Sequence, residues 1–180
     1  MRTNQSDLNS LREFLEQLPP FVFLGGIHGV GKSTLCDSTF GPAGYHCVTA
    51  SSLIRLYKMH SDHGKLVDDI PDNQSALIKQ LQTEKGARSH LLLDGHFCLL
   101  NREGVVEPIE LEVFKEMSPS ALVLVKCDPE VVATRLINRD DKDWSPEMLG
   151  NFQDKEEAHA ERIAEALGIS LTIIISEIRN

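Results

Sequence analysis

The sequence predicts an α/β fold in which a parallel sheet is covered by helices on both faces. Short segments that are apolar throughout alternate along the chain with segments whose apolar residues recur at helical spacing. Strands of a parallel sheet are buried on both faces, which explains why they are apolar at every position. The 180 residues, of which 41% are hydrophobic, suffice for the core of one domain.

The elements of the first half follow from their own residues. Leu8, Leu11 and Leu15 are spaced as on one face of a helix that Pro19-Pro20 end. We therefore expect a helical extension over residues 1–20, followed by a single domain over residues 21–180. The elements expected next are a strand over 21–25, a helix starting at 32, a strand over 46–49, a helix over 51–57, a loop over 64–71 and a helix over 73–85.

The second half repeats this alternation. Proline follows Asp128 and Ser145, and a proline at the first helical position is favourable because its missing N–H has no helical partner to lose. Pro108 is expected to begin a helix in the same way. The predicted strands cover residues 90–94, 121–126 and 169–176, and the predicted helices cover 108–117, a segment starting at 129, and 146–167.

Composition and charge argue against several functional classes. Eighteen Lys and Arg residues against 27 Asp and Glu residues give a net charge of −9, which is unfavourable for a general nucleic-acid or anionic-membrane binder. No apolar run approaches the ~20 residues that span a bilayer. The amino terminus lacks the apolar core of a signal peptide, and the four cysteines are scattered, so a cytoplasmic location is expected.

Residues 26–33, Gly-Ile-His-Gly-Val-Gly-Lys-Ser, match the pattern G-x-x-x-x-G-K-[ST] of a phosphate-binding loop (P-loop) in full. The motif follows an apolar strand and precedes a helix start, as a P-loop requires. Glycines let backbone N–H groups converge on a polyphosphate, Lys32 reaches the β- and γ-phosphates, and Ser33 binds Mg²⁺. The alternative is a glycine-rich turn without a ligand. The residues predicted to hold ATP are Gly26, His28, Gly29, Val30, Gly31, Lys32, Ser33 and Thr34.

A catalytic carboxylate is predicted at the end of the strand over residues 90–94. Asp94 follows three leucines and is expected to support Mg²⁺ or to orient the phosphoryl acceptor. Because Asp94-Gly95 is also a turn dipeptide, the alternative is an aspartate that only caps a turn. The P-loop favours the functional interpretation, so Asp94 and Ser33 are the predicted metal ligands.

The sequence lacks the features of several P-loop classes. It contains no D-x-x-G or N-K-x-D motif of a GTPase and no L-S-G-G-Q-like transporter signature, and it is short for a mechanical ATPase. The chain resembles the nucleoside monophosphate kinase group, and most of all the archaeal type of adenylate kinase. The resemblance spans most of residues 21–176 and depends on motifs at residues 25–34, 52–55, 93–96 and 133–139. It implies a three-layer P-loop NTPase fold with five parallel strands in the order 2-3-1-4-5.

The resemblance also implies roles for individual residues. Residues 51–88 correspond to the acceptor-binding region, with Arg55 on the acceptor phosphate and His96 beside both phosphates. Arg135 and Arg139 correspond to catalytic arginines at the beginning of a short lid, which lies within residues 135–150.

Departures from the family pattern leave parts of this assignment open. Where the family has an arginine shortly after the Asp-Gly strand end, this sequence has Phe97-Cys98, and Arg102 is the nearest replacement. For Arg135 and Arg139, the alternative to a catalytic role is a solvated helix face that pairs with the acidic residues after it.

The sequence thus predicts an ATP- and Mg²⁺-dependent small-molecule kinase, foremost a nucleoside monophosphate kinase of the adenylate type. Its partners would be a nucleotide and a small-molecule acceptor, without nucleic acid or membrane. One alternative is a P-loop kinase for a non-nucleotide acceptor. The other is an ATP-binding or ATP-hydrolysing regulatory module that acts on a protein partner through the N-terminal helix.

Overall fold

The structure is a computed structural model that describes residues 13–17, 19–60, 70–101, 104–140 and 144–176, and only the backbone of residues 58, 60, 70–72, 139 and 140. Strands and helices alternate along the chain as predicted. In chain order they are α1 (13–17), β1 (Phe21–Gly25), α2 (Lys32–Leu35), a π-helical turn (Cys36–Phe40), β2 (His46–Thr49), α3 (Ala50–His60), α4 (Ile70–Ala87), β3 (Leu91–Asp94), β4 (Cys98–Leu100), β5 (Val106–Pro108), α5 (Leu111–Met117), β6 (Ala121–Lys126), α6 (Pro129–Asp140), α7 (Pro146–Leu167) and β7 (Leu171–Ile175).

Five parallel strands form the central sheet in the order β2-β3-β1-β6-β7. Counted among themselves, they have the expected order 2-3-1-4-5, and the chain numbering differs only because β4 and β5 form a separate hairpin. β1 lies in the centre, where Phe23 pairs with Leu93 on one side and Leu122 on the other. Since all five strands run in one direction, the P-loop after β1 and Asp94 at the end of β3 lie at the same edge of the sheet.

The core consists of two layers, one on each face of the sheet. Val22 and Leu24 of β1 belong to the layer that includes side chains of α1, α2 and α6. Phe21 and Phe23 belong to the layer that includes side chains of α3, α4 and α5. Burial of alternate residues on opposite faces explains why β1 is apolar at every position.

Residues 98–108 contain an antiparallel hairpin, formed by β4 and β5, that the sequence did not predict. Pro108 pairs with Cys98 in this hairpin, and the helix that follows begins only at Leu111. The prediction that Pro108 begins a helix is therefore wrong. A proline at the end of a short edge strand is tolerated because its missing N–H removes no interior ladder bond.

The helices around the predicted acceptor-binding region are longer than expected. α3 continues three residues beyond Tyr57 to His60, and α4 begins at Ile70. Ile70 and Pro71, predicted as loop, are therefore helical, because proline is compatible with the first turn of a helix. The remaining residues of the predicted loop, 64–69, lie outside the described residues.

The described part of the N-terminal extension is short. Residues 13–17 are helical, and Phe14 is buried against Phe40. Residues 1–12 and 18 of the predicted helix lie outside the described residues. Among the helices that the structure describes, none is both long and apolar enough to cross a membrane.

α7 carries two buried polar side chains that hold the loops at the carboxyl ends of β3 and β6, the two strands on either side of β1. The Gln153 side chain accepts a hydrogen bond from the Cys127 N–H at 2.8 Å and donates one to the Cys127 carbonyl at 2.8 Å. One turn later, Glu156 accepts a hydrogen bond from the Phe97 N–H at 2.9 Å. The loops after β6 and β3 are thereby fixed to the same helix.

Replacement of Gln153 by methionine is expected to destabilise the protein. The variant keeps the side-chain volume but leaves the buried N–H and carbonyl groups of Cys127 without partners. Each buried unsatisfied group costs about 1–3 kcal/mol, so the free energy of unfolding should fall by about 2–4 kcal/mol. Urea denaturation would measure the loss. Asn151→Ala on the exposed face of α7 is the control, with a change of about 0.5 kcal/mol or less.

Candidate active site

The P-loop between β1 and α2 has a backbone conformation that glycine adopts most readily. Gly26 has a φ of +140° and Gly31 a φ of +105°, both disfavoured for residues with a side chain. A Cβ atom at Gly26 would lie 2.5 Å from the carbonyl oxygen of Val125 in β6. Both the dihedral angle and the neighbouring strand therefore require glycine at position 26.

Lys32 begins α2, and its ammonium group turns back over the P-loop. Nζ donates hydrogen bonds to the carbonyl oxygens of Gly26 at 2.6 Å and Ile27 at 3.2 Å, and it lies 3.6 Å from Asp94 Oδ1. The side chain is only 8% exposed. Burial lowers the pKa of Lys32, and the Asp94 and Glu156 carboxylates oppose this effect.

Asp94 ends β3, as predicted, and lies beside the P-loop because β3 pairs with β1. Its side chain is 13% exposed. Burial raises the pKa of Asp94, and the charge of Lys32 is the largest effect in the opposite direction. The site therefore contains a largely buried ion pair between the Lys32 ammonium group and the Asp94 carboxylate.

A cavity of about 590 Å³ opens beside this ion pair, and we call it the phosphate cavity. Its volume lies in the range of small-ligand sites. Its walls come from the P-loop with α2, the start of α3, the segment after β3, and α6. The lining residues are Ile27, His28, Gly29, Gly31, Lys32, Ser33, Thr34, Thr49, Ala50, Ser51, Ile54, Asp94, Gly95, His96, Leu99 and Arg135.

Arg135 brings α6 against the P-loop. Its Nη1 donates a hydrogen bond to the carbonyl oxygen of Gly29 at 2.7 Å and lies 3.6 Å from the Cys127 Sγ. Because the side chain also lines the phosphate cavity, a guanidinium group faces the loop that would hold a polyphosphate. Arg139 lies one helical turn later, in the part of α6 where only the backbone is described.

Most of the residues predicted to bind nucleotide lie at this cavity. The rings of His28 and His96 are 4.5 Å apart between centroids, and both side chains line the cavity together with Ser33 and Thr34. The Val30 side chain is fully buried in the core, so only its backbone is available to a ligand.

Arg55 is not brought to the cavity. α3 directs Ser51 and Ile54 toward it, whereas Arg55 is exposed and lines neither the phosphate cavity nor the smaller cavity next to it. A helix rotates by about 100° per residue, so the neighbour of a lining residue faces a different direction. Arg102, the suggested replacement for the missing family arginine, lies outside the described residues.

The predicted lid, residues 135–150, is helical at both ends, and the described residues 144 and 145 between the two helices are not helical. Residues 135–140 belong to α6 and residues 146–150 to α7, where Leu149 is buried in the core. Trp144 is half-buried and packs against the same core layer. Residues 141–143, at the centre of the predicted lid, lie outside the described residues.

Sequence reasoning missed a second, apolar cavity of about 120 Å³ that adjoins the first. Ala50, Ile54, Gly95, His96 and Leu99 line both cavities. The other lining residues of this apolar cavity are Phe23, Asn73, Gln74, Leu77, Ile109, Val113 and Met117. The lining residues come from β1, α3, α4, α5 and the segments after β3 and before α5, so only the tertiary structure reveals the cavity.

Glu156 was also missed, although the sequence contains a signal for it. The residue occupies a helical position between Phe152 and Ala160 in the apolar stripe of α7, and it is fully buried. A glutamate on the buried stripe of a helix needs a specific partner. Its partners are Phe97 and His96, directly after Asp94 and Gly95.

A family model described as "AAA domain" matches residues 25–149. The chain belongs to this family. Its curated relatives include an adenylate kinase of Thermoplasma acidophilum, which is 26% identical over 162 residues that cover 84% of this chain and 87% of the relative. An adenylate kinase of Methanothermobacter thermautotrophicus is 24% identical over 164 residues that cover 85% of this chain and 88% of the relative.

Solved structures share the fold. The tunicamycin resistance protein of Deinococcus radiodurans superposes with a TM-score of 0.54 and 15% identity, covering 84% of this chain and 96% of that one. A gluconokinase from Sinorhizobium meliloti gives a TM-score of 0.51 and 16% identity, covering 90% of this chain and 85% of that one. At these identities the two structures show a shared fold. The family match and the curated relatives identify a P-loop kinase domain of the AAA-domain family.

P-loop kinases use ATP as substrate, typically with Mg²⁺, and the donor atoms at the cavity fit such an ion. The Ser33 hydroxyl and the Asp94 carboxylate both line it and supply the oxygen ligands that Mg²⁺ prefers. In the part of the chain that the structure describes, no group of three or more His, Cys, Asp or Glu side chains is arranged to hold a metal. Two protein oxygens are the usual contribution when phosphates and water complete the coordination.

Replacement of Gly26 by alanine tests the geometry of the P-loop in this AAA-domain chain. Strain at positive φ costs about 1–2 kcal/mol, and the contact with the Val125 carbonyl adds about 1–3 kcal/mol because a strand backbone cannot move aside freely. Thermal unfolding should show the combined loss, and titration with Mg·ATP should show weaker binding.

Gly44→Ala is the matched control for this variant. Gly44 has a φ of +101° and nothing within 4 Å of a Cβ atom, so only the dihedral strain applies. We expect a smaller loss of stability and unchanged ATP affinity. Equal effects of the two substitutions on ATP affinity would contradict the role given to Gly26.

Proposed function

We propose that this protein is an ATP- and Mg²⁺-dependent kinase that transfers the γ-phosphate to a nucleoside monophosphate, foremost AMP. The observation that carries the proposal is the convergence of Lys32, Asp94 and Arg135 on one cavity that continues into an apolar cavity. The two archaeal relatives are named adenylate kinases, which supports this choice of acceptor.

The P-loop side of the cavity would hold the donor. Lys32 is fixed by the carbonyl oxygens of Gly26 and Ile27, and its charge is available to the β- and γ-phosphates. Ser33 and Asp94 would hold Mg²⁺, which supplies positive charge to the phosphates when it is bound. Thr34 offers a further hydroxyl at the same wall.

The arginines of α6 would stabilise the transferred phosphoryl group. Charge in the transition state spreads over its three equatorial oxygens, so catalysis depends on positioning and on fixed positive groups. Arg135 already faces the P-loop, and Arg139 follows on the same helix one turn later. We propose both as catalytic residues, with residues 135–150 as the segment that excludes water over the site.

The other half of the site would bind the acceptor. The apolar cavity offers Phe23, Leu77 and Ile109 to a planar base, and the buried Asn73 Oδ1, which has no hydrogen-bond partner, is available to an amino group. His96 lines both cavities and would stand between the acceptor base and the phosphates. Arg55 would reach the acceptor phosphate only after a change of its rotamer or of the position of α3.

A second candidate is a kinase for an uncharged hydroxyl acceptor. The small number of arginines at the site favours this candidate. Among the arginines whose side chains the structure describes, Arg135 alone lines either cavity. An acceptor without a phosphate group would not need a further cation. The gluconokinase among the structural neighbours is a kinase for a sugar acid by its name, so gluconate belongs among the acceptors tested.

The test is a panel of acceptors incubated with Mg·ATP and the purified protein, with products separated by chromatography. Lys32→Ala is the inactive control. We expect ADP and a nucleoside diphosphate to appear together, with AMP as the best acceptor.

Other results would redirect or reject the proposal. A phosphorylated sugar acid with no nucleoside diphosphate would favour the second candidate. ATP consumed equally in the absence of any acceptor would indicate the hydrolysing regulatory module instead. If ATP remains intact with every acceptor, the kinase proposal is wrong.

A further inference from the structure

Glu156 is a fully buried carboxylate next to His96 and Phe97, behind the residues that line the cavities. It belongs to α7 and lines neither the phosphate cavity nor the apolar cavity. Burial of a carboxylate is costly unless its oxygens are well partnered. Its charge attracts the Lys32 ammonium group through space, without a direct contact between the two side chains. The role of Glu156 must therefore lie in its direct contacts with neighbouring groups.

Those groups belong to the segment that follows β3. Oε2 of Glu156 accepts a hydrogen bond from the Phe97 N–H at 2.9 Å, and Oε1 lies 3.5 Å from Nδ1 of His96. Oε1 and Nδ1 are both buried, and neither has a hydrogen-bond partner. Two orphaned polar atoms that face each other at the edge of hydrogen-bond range need only a small ring movement to pair.

His96 in turn is one of the residues that line both cavities. Its ring lies against the ring of His28 in the P-loop, with centroids 4.5 Å apart. The side chain is 19% exposed although Nδ1 is buried, so the exposed edge of the ring is the edge away from Glu156. Nε2 is the only nitrogen that this edge can present to a ligand.

We propose that Glu156 is a positioning residue that holds the His96 ring with Nδ1–H directed at its carboxylate and Nε2 directed at the site of phosphoryl transfer. A carboxylate accepts hydrogen bonds and donates none, so it selects the ring form with a proton on Nδ1. The same carboxylate fixes the His96 backbone through the Phe97 N–H. His96 is thereby fixed at both its ring and its main chain.

This arrangement gives His96 a defined task at the junction of the cavities. Its Nε2 would contact the acceptor next to the phosphoryl group, while Lys32 and the P-loop hold the donor. Loss of the Glu156 contact should therefore impair the acceptor side of the reaction and leave ATP binding intact. The inference concerns the acceptor half of the proposed kinase site, but the state of the His96 ring can be measured without turnover.

The first test is nitrogen NMR of histidine-labelled protein, recorded at a pH at which the spectrum itself shows neutral imidazole rings. The His96 signals are assigned by their absence in His96→Gln. We expect wild-type His96 to carry its proton on Nδ1. In Glu156→Gln the amide can still accept from Phe97, but its NH₂ group then faces Nδ1, so the proton should move to Nε2.

Glu157→Gln is the matched control, because the adjacent residue forms its ion pair with Lys126 and not with His96. It should leave the His96 signals unchanged. A wild-type His96 without a proton on Nδ1, or a ring form that is the same in Glu156→Gln, would overturn the proposal.

The second test is kinetic. Glu156→Gln should lower turnover with the acceptor by about 10–100-fold, the range seen when a group that orients a metal-bound histidine is lost. The affinity for ATP should stay within about twofold of wild type. In a His96→Gln background, the same substitution should cause no further loss, because Glu156 acts through His96.

The kinetic outcomes also separate this inference from the proposed function. An equal loss from Glu156→Gln with and without His96 would mean a merely structural role, and the inference would fail. If wild type transfers phosphate to no acceptor, the proposed function fails. The NMR result would then still decide whether Glu156 positions His96.

Discussion

Replacement of Lys32 by alanine is expected to lower phosphoryl transfer by about 10²–10³-fold or more, the loss seen when one preorganised donor to a developing charge is removed. The ammonium group is buried and is held by Gly26, Ile27 and Asp94, so no solvent cation can take its place. Steady-state kinetics with Mg·ATP and the best acceptor would measure the loss.

The control for this substitution is Lys79→Ala. Lys79 lies on α4, where its ammonium group contacts Tyr57 and lines neither cavity. Its removal should leave turnover within about twofold of wild type. Circular dichroism should show that Lys32→Ala remains folded. A folded Lys32→Ala enzyme with near wild-type turnover would contradict the assignment of the donor site.

Replacement of Asp94 by asparagine is the second change with a large expected effect. The variant keeps the shape of the side chain but removes the negative charge that faces Lys32 and would support Mg²⁺. We expect turnover to fall by about 100-fold or more, since bound metal supplies several kcal/mol of charge stabilisation in such reactions. Addition of excess Mg²⁺ should restore only part of the loss.

Asp37→Asn provides the matched control, because Asp37 is exposed on the π-helical turn and outside the cavity. Titration of both variants with Mg²⁺ at fixed ATP would separate a loss of metal affinity from a general loss of activity. If Asp94→Asn showed the same Mg²⁺ dependence as Asp37→Asn, Asp94 would have no role at the metal.

Much of the fold could be predicted because its signals are local and repeated. Four of the five strands of the sheet, β1, β3, β6 and β7, are largely apolar. The helices between the strands have clear starts, such as Ser145-Pro146, and clear ends, such as Gly168. Parallel connection of such strands restricts the topology to few arrangements. The P-loop motif predicts the location of the proposed donor site, because its residues are contiguous in sequence.

The parts that could not be predicted depend on tertiary contacts. β4 and β5 are three residues long each, too short for a periodic pattern, so the hairpin and the late start of α5 were missed. The rotational position of Arg55 on α3 depends on how that helix packs, which its sequence does not determine. The apolar cavity and the contact of Glu156 with His96 join segments that are distant in the chain.

The most direct test of the account is a crystal structure with a bisubstrate analogue that joins two adenosines through a polyphosphate chain. We expect the polyphosphate on the P-loop and Lys32, one adenine beyond Arg135, and the other in the apolar cavity beyond His96. A polyphosphate that lies away from Lys32, or a second adenine outside the apolar cavity, would contradict the account.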